Sequence, residues 1–306
     1  MPSQTVSDDD LIKFWNVLCP TAPAFELFIE SFPETTCGEG KPTVSTDVLR
    51  LDKVDTELSG NKLFKLLGHL RSWQSSGKTG VISFGGRWSN HLHALAVVCR
   101  RMNIPVSAMV LGYEAQPLTA TLKDCLSNGM LLTFCNRVEY AKRYDADWRD
   151  CLSEDSGAWV IPEGGEGPEG ELGLSLLADV IRPYDEIWVA AGTGTTARGL
   201  ANHMGAAQTL HIVNAVADQG ALAQASRHWV TDAQVKVHDE FHGGGFGRVS
   251  TELLDLVRCY DSLGLPLEPV YTAKVAKAMN ATSYENGTRR LMIHTGGLQG
   301  RRGFPV

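Results

Sequence analysis

Ser59-Gly60-Asn61-Lys62 runs directly into Leu63-Phe64-Lys65-Leu66-Leu67-Gly68-His69-Leu70. Leu63, Leu66, Leu67, Leu70 and Trp73 follow the i, i+3, i+4, i+7 spacing of one helix face. The spacing predicts an amphipathic helix with Asn61 as its N-cap and Lys62 as its first residue. A cation there meets the positive end of the helix dipole. A lysine so placed is expected to have a lowered pKa and to attack a carbonyl as a free amine. On this segment alone a surface lysine is the simpler reading. Three further segments reverse that balance.

Working outward, short apolar runs alternate with helical patterns. Val44–Leu51 has strand character and precedes the lysine turn, and a helical stretch near Leu11–Leu18 precedes that. Strand Val81–Phe84 leads through Gly85-Gly86 and Arg87-Trp88-Ser89-Asn90 to a helix His91–Met102. Strand Val106–Leu111, helix Ala120–Asn128 and strand Met130–Phe134 follow, then a polar stretch Ala146–Ser156 that reads as a crossover between domains. The second half offers strand Trp159–Pro162, a glycine-rich loop Glu163–Pro168, helix Leu172–Ile181, strand Glu186–Ala191, helix Thr195–Met204 and strand Leu210–Val216. Such alternation is the mark of βαβ units on a parallel sheet.

Composition bounds the function. A chain of 306 residues with 43% hydrophobic and 21% charged content has the make-up of a globular protein with room for two domains. Its net charge of −7 argues against nucleic acid or an anionic membrane as partner. No apolar run approaches a bilayer span, and Met1-Pro2-Ser3-Gln4 lacks a basic region followed by an apolar core. Seven scattered cysteines without a Cys-x-x-Cys pair read as reduced thiols in a cytoplasmic protein, with no zinc site.

Three glycine turns carry the chemistry. Ile187–Ala191 followed by Gly192-Thr193-Gly194-Thr195-Thr196-Ala197 is a strand, a turn and a helix start, where unpaired N–H groups and threonine hydroxyls form a phosphate cup. It lacks the Gly-Lys-Thr ending of a nucleotide P-loop, but satisfies Gly-x-Gly-x-x-Ala with Asp218 about twenty residues on, so a dinucleotide site is an alternative. Gly85–His91 is a second such turn; Ser89 and Asn90 serve there either as helix caps or, with His91, as a site for a substrate carboxylate. His294-Thr295-Gly296-Gly297 follows a third strand, and Pro269-Val270-Tyr271-Thr272 precedes a further helix and offers a tyrosine as acid or base. Two anion cups and an activated lysine suit an amino acid joined to pyridoxal phosphate.

Ser59-Gly60-Asn61-Lys62, Gly85-Gly86-x-x-Ser89-Asn90, Gly192–Thr196, Pro269-Val270-Tyr271 and His294–Gly297 stand in the order seen in one family. The chain resembles the 1-aminocyclopropane-1-carboxylate deaminase / D-cysteine desulfhydrase family of pyridoxal 5'-phosphate enzymes, over nearly its whole length from about residue 44. The resemblance implies fold type II, the tryptophan-synthase-β-like α/β fold: two open, twisted, mostly parallel sheets flanked by helices, with the active site between the domains. It places residues 1–65 and 156–306 in a large cofactor domain and 66–155 in a small one.

By the same resemblance Lys62 is the Schiff-base lysine and Asn90 bonds the cofactor's phenolic oxygen. Ser89 holds the substrate carboxylate, and Gly192, Thr193, Gly194, Thr195 and Thr196 hold the phosphate. Tyr271 matches a tyrosine over the cofactor. Thr272 stands where the deaminases have a glutamate for the pyridine nitrogen, and Thr295 where they have leucine; both look like the desulfhydrase side. Gly243-Gly244-Gly245-Phe246-Gly247 carries Phe246 where the family has a second active-site tyrosine. The expected activity is β-elimination from a small amino acid, giving a 2-oxo acid and ammonia, in a cytoplasmic homodimer. Cyclopropane ring opening, pyridoxal phosphate binding without catalysis and a Rossmann-type NAD oxidoreductase are the alternatives.

Overall fold

A computed structural model describes residues 8–20, 28–32 and 46–306. Cys37 and the first two residues of the Val44–Leu51 expectation lie outside that set. The strands are β1 Ile29–Ser31, β2 Thr46–Arg50, β3 Gly80–Gly85, β4 Val106–Leu111, β5 Leu131–Cys135, β6 Ala158–Ile161, β7 Glu186–Ala191, β8 Thr209–Asn214, β9 Gln234–His238 and β10 Arg290–His294. The chain divides into two compact units.

Asp55–Leu58 and Lys62–Leu176, with the helix Asp8–Leu18, form one unit. Its sheet runs β5-β4-β3-β6, and every pair is parallel. Parallel neighbours need crossovers, which the helices Asn90–Met102, Ala120–Ser127 and Ala146–Ser156 supply. Each starts on a side chain that accepts an N–H from its first turn: Ser89 from Leu92, Thr119 from Leu122 and Asp145 from Trp148. The third helix corrects the reading of residues 146–156 as a crossover between domains. Asp145 and the left-handed Gly157 bound it, and Trp148 and Leu152, four residues apart, pack on Phe84, Cys135 and Tyr140. β6 pairs with β3 from Gly80↔Ala158 to Ser83↔Ile161, so this sheet also takes in residues that the 156–306 assignment groups with the large domain.

The helix Asn61–Ser76 buries Leu63, Leu66, Leu67 and Leu70, as the apolar spacing predicts. Gly68 lies inside it, where a Cβ would fall 1.9 Å from the Glu169 carbonyl oxygen, and a Cβ on Gly173 would fall 1.8 Å from that of Phe64. Two backbones therefore touch with no side chain between them. The touching segment is not the single helix expected over Leu172–Ile181 but three short pieces, Pro168–Leu172, Gly173–Leu177 and Ala178–Ile181.

β1 and β2 with the turn to Val54, Ser59–Asn61 and Leu177–Val306 form the second unit. Its sheet runs β1-β2-β10-β7-β8-β9, parallel except for β1 on β2. Ile187–Ala191 and all of β10 are buried, the pattern of strands covered on both faces. The helices Thr251–Ser262 and Thr272–Ala281 contribute Val257, Tyr260, Ala273 and Ala276 to a core shared with Trp188, Val213 and Met292. The helix after β7 ends at Ala201, three residues short of the expected Met204. β1, β9 and the helix Thr251–Ser262 are absent from the sequence reading. β1 is only three residues long, and both strands are edges of the sheet.

Helix propensity favours alanine over glycine by about 1 kcal/mol. At Gly68 the 1.9 Å approach reverses that sign. Gly68→Ala is expected to lower unfolding free energy by about 1–3 kcal/mol in denaturant titration. A variant more stable than the parent would mean that the two backbones do not touch.

Candidate functional site

The Ser59–Asn61 turn and two of the three glycine turns meet within the six-stranded unit. Gly60, at φ +84°, donates its N–H to the Leu51 carbonyl at 2.8 Å. A Cβ on Gly60 would lie 2.2 Å from the Thr295 carbonyl oxygen, and one on Gly296 would lie 2.6 Å from the Gly60 Cα. No residue but glycine fits either place. Asn61 N–H donates to the Thr295 carbonyl at 3.2 Å, and its side-chain amide donates to Thr196 Oγ1 at 2.8 Å. One residue thus joins the turns that follow β7 and β10. The helix begins at Asn61 itself, one residue before the expected start. The Asn61 amide N–H is committed to Thr196, a partner 135 positions away that no local capping rule names. Lys62 is the next residue in the chain and is half-buried.

The turn after β7 has the form the sequence predicts. Gly194 adopts φ +82° immediately before the helix Thr195–Ala201. Thr195 and Thr196 are buried, and the hydroxyls of Thr193 and Thr195 pair at 3.0 Å. A Cβ on Gly192 would come 3.2 Å from the Tyr271 hydroxyl, so the tyrosine lies against this cup. Asp218 is no ribose ligand: its carboxylate accepts from the Asn214 amide and from the N–H groups of Gly220 and Leu222, capping the helix Ala221–Ser226.

Tyr271 is oriented by Glu268, which the sequence reading overlooked. The Glu268 carboxylate is 3% exposed and accepts the N–H groups of Val270, Tyr271 and Thr272 at 2.6–2.8 Å. Burial raises its pKa to about 7 against the pull of those donors. An acid just before a helix start was the signal available for it. Thr272 is fully buried, and its hydroxyl accepts the Glu268 N–H at 2.8 Å. Phe246 stands edge-on to Tyr271 with ring centroids 6.1 Å apart and is 64% exposed. Thr295 is buried at the end of β10. The preceding His294 has Nε2 2.8 Å from the Pro266 carbonyl and Nδ1 3.1 Å from an Asp52 carboxylate oxygen. Burial lowers its pKa, and the Asp52 charge opposes this.

In the four-stranded unit, Ser89 and Asn90 stand half-buried at the start of the helix after β3. Ser89 Oγ accepts the Leu92 N–H at 3.2 Å, and a Cβ on Gly85 would press to 2.6 Å from that oxygen. His91 is buried. Ser83 Oγ donates to the Ile161 carbonyl, so it accepts from His91 Nε2–H at 2.8 Å. Burial holds the ring neutral. Lys65 is 2% exposed and donates to the Gly164 carbonyl at 3.0 Å, and burial together with the nearby Lys62 charge lowers its pKa strongly. In the Glu163–Gly167 loop, the Glu163 carboxylate is taken by Tyr140 and Arg143.

No family model matches the chain. The bifunctional D-cysteine desulfhydrase/1-aminocyclopropane-1-carboxylate deaminase of Arabidopsis thaliana, a mitochondrial protein, is 28% identical over 83% of this chain and 72% of its own. The crystal structure of an ACC deaminase homologue superposes with a TM-score of 0.72 at 23% identity, covering 94% of this chain and 96% of that one. A pyridoxal 5'-phosphate-dependent aspartate racemase superposes with a TM-score of 0.64 at 12% identity, covering 97% of each chain. Over most of its length the chain is thus similar to proteins named 1-aminocyclopropane-1-carboxylate deaminase or D-cysteine desulfhydrase, and it is built on the α/β fold type II of these solved neighbours.

Proposed function

We propose that the protein is a pyridoxal 5'-phosphate-dependent lyase that acts on a small amino acid by β-elimination. The observation that carries this reading is Asn61, whose two bonds draw the Gly192–Thr196 and Thr295–Gly296 turns to the residue beside Lys62. The residues fit a phosphorylated aldehyde. Backbone N–H groups and the Thr193, Thr195 and Thr196 hydroxyls suit its phosphate, and Gly192 leaves open the space that a Cβ would fill 3.2 Å from the Tyr271 hydroxyl. Capping by Asp218 removes the acid that an NAD reading requires.

Pyridoxal phosphate, when bound, supplies an aldehyde carbon for a bond to nitrogen and a conjugated ring that accepts the electron pair left at Cα. Lys62 would hold that aldehyde carbon, and its amine, once free, would take the Cα proton of the substrate. Ser89 accepts Leu92 N–H through its oxygen, which leaves its hydroxyl hydrogen to bind the substrate carboxylate. Asn90 would hold the phenolic oxygen, and the neutral hydroxyl of Thr295 would serve the ring nitrogen. Glu268 does not replace the missing acidic partner, because three backbone N–H groups occupy it. Tyr271 hands a proton to the leaving group. A β-substituted alanine then loses its substituent with a proton and, with one water, yields pyruvate and ammonia. We place the protein in the cytoplasm on the scattered cysteines of its sequence, and read it as a homodimer on the family likeness.

Three measurements test the reading. Borohydride reduction followed by peptide mapping is expected to find the pyridoxyl group on Lys62; its appearance on Lys65 or Lys274 overturns the assignment. Turnover is expected with cysteine or β-chloroalanine and little with 1-aminocyclopropane-1-carboxylate, since a neutral Thr295 and the hydroxyl-free Phe246 weaken ring opening most. Efficient ammonia release from the cyclopropane refutes that preference. Asn61→Ala removes the bond to Thr196 and is expected to weaken cofactor binding about fivefold to tenfold, read by absorbance titration. Unchanged affinity would separate the cup from the lysine turn.

A further inference from the structure

Lys274 is 1% exposed, on the buried helix Thr272–Ala281. Its ammonium donates to the carbonyls of His242 at 2.8 Å, Ala215 at 3.2 Å and Gly245 at 3.3 Å. An ammonium has three hydrogens, and these acceptors match them one for one. Two acceptors belong to the loop that carries Phe246, and the third follows β8. That loop has little stiffness of its own. Gly243, Gly244, Gly245 and Gly247 all adopt positive φ, between 62° and 115°, and glycine loses the most freedom on being fixed. Local bonds from Gly245 N–H to the His242 carbonyl and from Gly244 N–H to His242 Nδ1 close the turn on itself. The Lys274 ammonium, by contrast, ties it to the core helix.

We propose that Lys274 is a positioning residue that clamps the His242–Gly247 loop to the core, so that Phe246 stays edge-on to Tyr271 and limits the substrate side chain admitted there. The inference rests on the reading of Tyr271 and Phe246 as substrate-facing. Burial lowers the Lys274 pKa to about 8 and the Glu268 carboxylate opposes this, which fits a cation held by dipoles with one neighbouring charge. Charge-assisted bonds to a buried ammonium are the stronger kind. Losing them therefore frees the loop without removing any group that meets the substrate.

Lys274→Met and the milder Lys274→Gln, which keeps two donors, test the clamp in the full chain. Hydrogen exchange at Gly243–Gly247, read by mass spectrometry, is expected to quicken about tenfold or more in Lys274→Met and less in Lys274→Gln. In the loaded enzyme, KM for β-chloroalanine is expected to rise about tenfold while kcat and the borohydride label on Lys62 hold. Phe246→Ala is expected to raise KM alike with loop exchange unchanged. Unchanged exchange in both lysine variants overturns the clamp. Faster exchange with unchanged KM overturns the link to substrate. Absence of any Lys62 label in the parent chain overturns the cofactor reading instead, and the exchange measurement still decides the clamp. Should Lys274→Met fail to fold, Lys274→Gln carries the same comparison.

Discussion

The contact on which the site depends is backbone against backbone. Gly60 and Gly296 approach so closely that a Cβ on either would collide, at 2.2 Å with the Thr295 carbonyl or at 2.6 Å with the Gly60 Cα. With no side chains between them, Asn61 N–H reaches the Thr295 carbonyl, and its amide reaches Thr196. The ends of β7 and β10 are neighbours because those strands pair in parallel, so their following turns emerge on the same side of the sheet. The lysine turn is drawn to them by hydrogen bonds that a bulkier residue at 60 or 296 would prevent. Lys62 inherits its placement across one peptide bond.

Buried charge is handled in several ways. Arg50 is matched by Asp52 and Glu30; Asp52 is held below its usual pKa because the Arg50 guanidinium outweighs burial. Lys274 has carbonyl dipoles for partners, and Glu268 has backbone N–H groups. Lys65 has one carbonyl and is pushed strongly toward the neutral amine. The difference follows from what each environment offers the charged form: a full counter-charge, several dipoles or one. Among these lysines the compensation at Lys274 is the most complete, which suits a tether better than a nucleophile.

Helix starts show how a single residue type serves two ends. Asp218, Asp145 and Thr119 do only what their chemistry does in any protein, accepting first-turn N–H groups. Ser89 does the same, yet a hydroxyl retains a hydrogen after its oxygen has accepted, and a carboxylate does not. Capping and substrate binding are therefore compatible at Ser89 and exclusive at Asp218. Glu268 shows the second case in full: three N–H groups occupy it, that of Tyr271 among them.

Much was legible from local pattern. The i, i+3, i+4, i+7 leucines after Lys62 and the strand–glycine–helix turns are nearest-neighbour effects and appear where the spacing puts them, whereas the helix expected over Leu172–Ile181 breaks into short pieces. Residues 146–156 misled because Trp148 and Leu152 are few among charged neighbours, and their burial needs Phe84, 64 and more positions away. The bond between His91 and Ser83 was not legible, because a polar residue beside Ser89 and Asn90 gives no sign of which way its ring turns. Sequence by itself determined the elements, the glycine turns and the order of the motifs, since these follow from steric and hydrogen-bonding rules over a few residues. Tertiary structure alone decided that Asn61 reaches Thr196, that Glu268 orients Tyr271 and that Lys274 holds the glycine loop. Those partners meet only after distant segments have been packed together or the chain has turned back on itself, and no local periodicity records which carbonyl will face which donor.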